Sequence, residues 1–147
     1  MTDHDILIRV LRRESRSLLQ YVRDSYPWAS IGEAAIRDQL LGMAEREAET
    51  LARIARFLQA RRVALPVLGP FPTAYTNCNF LSVHALIPRL IDDSRHRLAE
   101  LDKDSDALRE EPTRALVERL REQMQQHLRQ LEELASTHST PLAAVSR

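Results

Sequence analysis

The sequence is poor in the residues that β-architectures, disulfide scaffolds and membrane spans require. Three glycines and an aromatic content of 5% in 147 residues supply too few tight turns and large strand side chains for a sandwich or barrel. A single cysteine, Cys78, excludes an internal disulfide and any multi-cysteine metal centre. The 21 basic and 21 acidic side chains cancel, so no summed field draws the chain to nucleic acid or an anionic membrane. No apolar run reaches the length of a bilayer span, and the opening MTDHDILIRVLRRE holds no signal-peptide core. The expectation is a cytoplasmic, all-helical protein with one domain over residues 1–136 and a loosely ordered tail over 137–147.

What is present is helical punctuation. A first helix is predicted from about Asp3, with Thr2 or Asp3 as its N-cap, to Ser25, where the Tyr26-Pro27 step stops it. Ser30-Ile31-Gly32-Glu33 has the form of a capping box, in which hydroxyl and carboxylate satisfy each other's orphan amides. It opens a second helix from about Ile31 to Arg62. Val63 to Leu81 then holds three prolines, one glycine and no charge, a long apolar connection of the kind that crosses a bundle. A third helix begins near Ser82, or as late as Pro88, and runs to about Asp104, with a kink or 3₁₀ start expected at Pro88. Pro112 suits the first position of a fourth helix ending near Ala135. Short outer links and a long central one describe a four-helix bundle whose second and third helices run parallel.

Counting at about 100° per residue locates the apolar stripe of each helix and what interrupts it. Leu7, Leu11, Leu18 and Val22 share a face with Glu14 in its middle. Ile36, Leu40, Met43, Leu51, Ile54 and Leu58 are interrupted by Glu47, whereas Glu45 and Glu49 point away. Val83, Leu86, Ile87, Leu90, Leu98 and Leu101 are interrupted by Ser94, with Arg97 on the edge. Leu116, Leu120, Met124, Leu131 and Leu134 surround His127, with Gln123 at the border. These interruptions lie at a common height, and two carboxylates in an apolar interior demand a metal, a cationic partner, protonation or water. A neighbouring face of the first helix, through Ile8, Ser15, Leu19 and Val22, is the alternative that would leave Glu14 outside.

An inward polar residue at mid-height of each helix, with a long crossover between the second and third, resembles the ferritin-like superfamily over about residues 3 to 135. That resemblance implies a di-iron site built from a Glu on the first and third helices and a Glu-x-x-His on the second and fourth. Glu14 matches the first carboxylate. Glu47 matches the second-helix Glu, but Thr50 stands where its His is expected. Ser94 replaces the third-helix carboxylate, and Met124 precedes the matching His127 in place of a Glu. Too few carboxylates remain to balance two irons. The resemblance therefore implies a bundle without a functional di-iron centre and with no enzymatic role at that site. Arg97, one turn beyond Ser94, is placed to supply a guanidinium to Glu47 or Glu14.

A second reading keeps one Fe, Mn or Zn ion on Glu14, Glu47 and His127. A metal-free polar layer would instead add Ser94, Arg97 and Gln123 to those three. A third reading is a helical protein-interaction module. Asp93-x-x-His96 has metal-pair spacing but falls off the apolar face, as a solvated surface pair would. His84 reads as a surface or capping residue, and His4 and His138 lie in terminal segments. Cys78 is expected as a buried or half-buried thiol with no adjacent activating His. Tyr26, Trp28, Phe71 and Phe80 are expected in core or hinge packing, or at the contact of a homodimer.

Overall fold

The computed structural model describes residues 1–145, and the side chains of residues 1–137. Among these residues the structure is all-α: α1 (Asp3–Ser15), α2 (Leu18–Ser25), α3 (Ala34–Ala60), α4 (Val83–Ala107) and α5 (Glu111–Val145). Short 3₁₀ segments occupy Ile31–Glu33 and Thr73–Cys78. The last helix thus extends past Ala135, and the predicted tail beyond residue 137 overlaps it up to Val145; residues 146–147 lie outside the described residues.

The helix ends follow local chemistry. Thr2 and Asp5 form a reciprocal capping box at the start of α1. Ser82 caps α4, its hydroxyl accepting the Ala85 amide at 3.1 Å, which settles the start of that helix ahead of Pro88. The α-helix runs through Pro88 without a 3₁₀ start, because the proline lies on the exposed side, where the carbonyl that loses its amide partner faces water. The Ser30-Glu33 pair is only half a capping box. Ser30 Oγ donates to Glu33 Oε1 at 3.1 Å rather than accepting an amide, and Glu33 also takes the His84 amide and ring Nδ1. His84 is therefore a tie between the start of α3 and the start of α4.

The predicted first helix is two helices. Arg16 ends α1, and Ser17 starts α2 by accepting the Gln20 amide at 3.2 Å. Serine competes for backbone bonds inside a helix and is favoured at its start. Gln20 then donates its side-chain amide to the Ala44 carbonyl at 2.7 Å, fastening α2 to α3.

Helices α1, α3, α5 and α4 form a closed ring of packed neighbours, with α2 continuing α1 against α3. Two apolar clusters fill it. One gathers Leu18, Leu19 and Val22, Ile36 to Ala44, Val83 to Ile91, and Leu131. The other gathers Ile6 to Leu11, Leu51 to Leu58, Leu101, and Val117 to Met124. The order in which the helices visit the two clusters gives their sense: α3 and α4 pass from the first to the second, whereas α1 followed by α2, and α5, pass from the second to the first. α3 and α4 are therefore parallel, as the long connection between them requires. On α5 the innermost early position is Val117 rather than Leu116, which is only partly buried.

The core alternative for the aromatics needs correction at three of the four residues. Trp28, Tyr26 and Phe80 are 80%, 59% and 95% exposed, because they sit on the connections that lead out of α2 and into α4. Phe71 packs edge-on against Tyr21 at 5.3 Å. No helix among the described residues is long and apolar enough to cross a membrane.

Asp3 joins the two ends that run in the same sense. Its carboxylate accepts the Arg109 and Glu110 amides and the Thr113 hydroxyl at 2.6 Å, capping α5 from another helix. The Thr113 hydroxyl and the backbone amides hold its pKa below the ordinary value. A depressed carboxylate stabilises above its unfolded pKa and loses that contribution as pH falls through its folded one. Asp3→Ala is expected to lower Tm at pH 7, and the gap to the wild type should close as the pH is taken below 4, near the unfolded aspartate value, as read by thermal circular dichroism.

Candidate functional site

Between the two apolar clusters lies a charged layer built by all four long segments. Glu14 is at the last turn of α1, Glu47 at the middle of α3, Ser94 and Arg97 on α4, and His127 on α5. Each is 1–4% exposed. Arg97 Nη1 is the hub: it donates to Glu14 Oε1 at 2.9 Å and to Glu47 Oε1 at 3.1 Å. Met124 Sδ lies 3.8 Å from the same nitrogen. The other Glu47 oxygen, Oε2, is 2.5 Å from His127 Nδ1.

Each predicted site residue is placed by this geometry. Glu14, Glu47, Arg97 and His127 meet. Ser94 is buried one turn before Arg97 but adds no hydrogen bond to the cluster among the described residues. Gln123 stays at the border, its amide donating to the Arg46 carbonyl at 3.2 Å. Thr50 is turned back on its own helix, its hydroxyl donating to the Arg46 carbonyl at 3.2 Å.

Asp93 is the residue that the helical wheel misplaced. Its Oδ2 lies 3.1 Å from Arg97 Nε, close enough for charge pairing although the N–H is not aimed at the oxygen. The same oxygen accepts the Leu18 amide at 3.3 Å, an amide that is free because the chain breaks at Ser17. The side chain is 19% exposed, so Asp93 belongs to the charged layer, whereas His96 faces solvent.

The layer extends along α1. Arg13 donates to Glu14 Oε2 at 2.7 Å and to Asp104 Oδ2 at 2.8 Å, and Arg9 reaches the other Asp104 oxygen at 2.6 Å. Asp104 is 1% exposed. These ties bind α1 to α4 with three guanidinium groups facing four carboxylates.

The two central glutamates respond differently to the same hub. Burial is the largest influence on both and pushes each pKa up. For Glu47, Arg97 and His127 together outweigh it, and the carboxyl is held below its ordinary value. For Glu14, Arg97 and Arg13 offset burial incompletely, and the value stays raised. Arg97 gains two glutamates and Asp93 against its own burial, which raises its pKa further. The guanidinium is charged at every accessible pH.

In this arrangement the two glutamates are paired with protein side chains. The nitrogen of Arg97 takes the point between Glu14 and Glu47 at which an ion would bridge them. His127 presents its Nδ1 to a glutamate oxygen. Among the described residues no group of three or more His, Cys, Asp or Glu side chains is arranged to hold a metal ion. Glu14, Glu47, Arg97 and His127 are all buried at the centre of the layer. Its chemistry is mutual neutralisation.

Comparisons with family models, with curated proteins and with solved structures return no significant match to this chain.

Removing one member of a buried ion pair leaves its partner charged in a dry interior, at about 3–5 kcal/mol. Glu47→Leu is expected to cost that much in chemical denaturation. Glu47→Leu with Arg97→Leu should recover part of the loss, with a coupling of at least about 1 kcal/mol. A double-mutant cycle without coupling would count against Arg97 as the hub.

Proposed function

We propose that the chain is a ferritin-like four-helix bundle that works without metal, its interior serving structure and its role carried by its surface. The observation that supports this is the position of Arg97 Nη1 between Glu14 and Glu47. In the resemblance drawn from the sequence, those two glutamates are carboxylates that would hold iron. Here a fixed cation on α4 neutralises them, and unlike a metal ion it brings no open coordination position for oxygen or water. The parallel run of α3 and α4 across a long connection supports the same architecture.

A closed interior favours the outer face as the working part. Trp28, Ile31, Val67 and Phe80 are between 80% and 100% exposed, so these apolar side chains are open to a binding partner. This supports a binding module over an oxidoreductase.

Metal analysis separates this reading from the mononuclear one. The protein is purified without chelator from cells supplied with iron, manganese and zinc, and its metal content is measured by mass spectrometry. The expected result is a content well below one ion per chain, unchanged in Glu47→Ala. Stoichiometric iron, manganese or zinc that disappears in Glu47→Ala would replace this proposal with a metal-handling function on Glu14, Glu47 and His127.

A further inference from the structure

A cavity of about 330 Å³ lies away from the charged layer, where the end of α2 and the residues after it face Cys78, Asn79 and the first turns of α4. Val22, Cys78 and Leu86 are buried and close its inner side, and Tyr21, Tyr26 and Trp28 supply aromatic lining. Tyr21 is fixed by donating its hydroxyl to Asn79 Oδ1 at 2.6 Å. Its ring is braced by Phe71 and Tyr75 at 5.3 and 5.7 Å. The volume is that of a small-ligand site.

The backbone is bent to make this shape. Tyr26 ends α2 at φ +46°, in the left-handed region, where a bulky L residue is strained. That turn directs Tyr26-Pro27-Trp28 back beside the cavity. Non-glycine residues held in this region collect at active sites, ligand clamps and switch regions.

The electrostatics select a class of ligand. Among the described residues Asp24 is the only acidic or basic side chain in the lining. It is exposed and makes no side-chain hydrogen bond or ion pair among the described residues. Aromatic faces attract cations through their electron-rich π-systems; the Tyr26 ring is already covered by the Arg37 guanidinium, 4.7 Å from its centroid, which leaves the exposed Trp28 as the open face. An anion would meet Asp24 unfavourably, and a neutral apolar ligand would leave its carboxylate unused.

We propose that this cavity binds a small organic cation of the alkylammonium class, its onium group against Trp28 and its charge countered by Asp24. The inference stands apart from the interior and holds whether or not the bundle binds metal. Trp28 is the only tryptophan, so its emission reports on the cavity without a label.

The test titrates the full chain with choline chloride, with the uncharged isostere 3,3-dimethyl-1-butanol, and with sodium chloride at matched ionic strength. A saturable change in Trp28 emission with choline alone is expected. Asp24→Asn, an exposed substitution whose folding is checked by circular dichroism, should raise the midpoint roughly fivefold, the size of one partly screened charge contact. Linear, non-saturating quenching would overturn the proposal. So would an equal response to the uncharged isostere, or an unchanged midpoint in Asp24→Asn.

Discussion

A guanidinium buried in the middle of an apolar interior is the constraint that the rest of this structure answers to. Arg97 is 3% exposed, and a cation so placed is tolerated only if carboxylates and hydrogen bonds replace the water it has lost. Glu14, Glu47 and Asp93 meet that demand from three different helices. Each of those acids is in turn held by something else: Glu14 by Arg13, Glu47 by His127, Asp93 by the Leu18 amide. The helix break at Arg16–Ser17 belongs to the same arrangement. It ends α1 just after Glu14 and frees the amide that Asp93 accepts, so a local discontinuity in the backbone serves the charge balance of the centre.

Much of this was legible in the residues. The apolar stripes on the first three predicted helices coincide with buried positions except at the partly buried Leu98, because a 3.6-residue period leaves little choice about which side faces inward. Glu14, Glu47 and His127 were legible for the same reason: each interrupts a stripe that is otherwise clean. The Val63–Leu81 segment announced itself by its prolines and its lack of charge.

Other features were hidden for identifiable reasons. Asp93 sits off the apolar arc when only its Cα direction is counted, but its side chain reaches inward to Arg97 one turn along and to an amide on another element. The break after Ser15 falls inside an unbroken apolar rhythm that runs from Leu11 to Val22. Its signal was present all the same in Ser17-Leu-Leu-Gln20, which has the serine-to-glutamine spacing of a helix start. The exposure of Trp28 and Phe80 ran against their apolar character, since composition ranks aromatics as interior residues and says nothing about turns that hold them outside.

The charged layer also fixes how the helices stand lengthwise. Leucine, isoleucine and valine above and below it would pack nearly as well after a slide of one turn, about 5.4 Å along the axis. Such a slide of α4 would carry Arg97 out of reach of Glu14 and Glu47 and leave three charges stranded in hydrocarbon. A greasy interior alone is permissive about vertical alignment. This one, pinned at a single level by short polar contacts, has one setting.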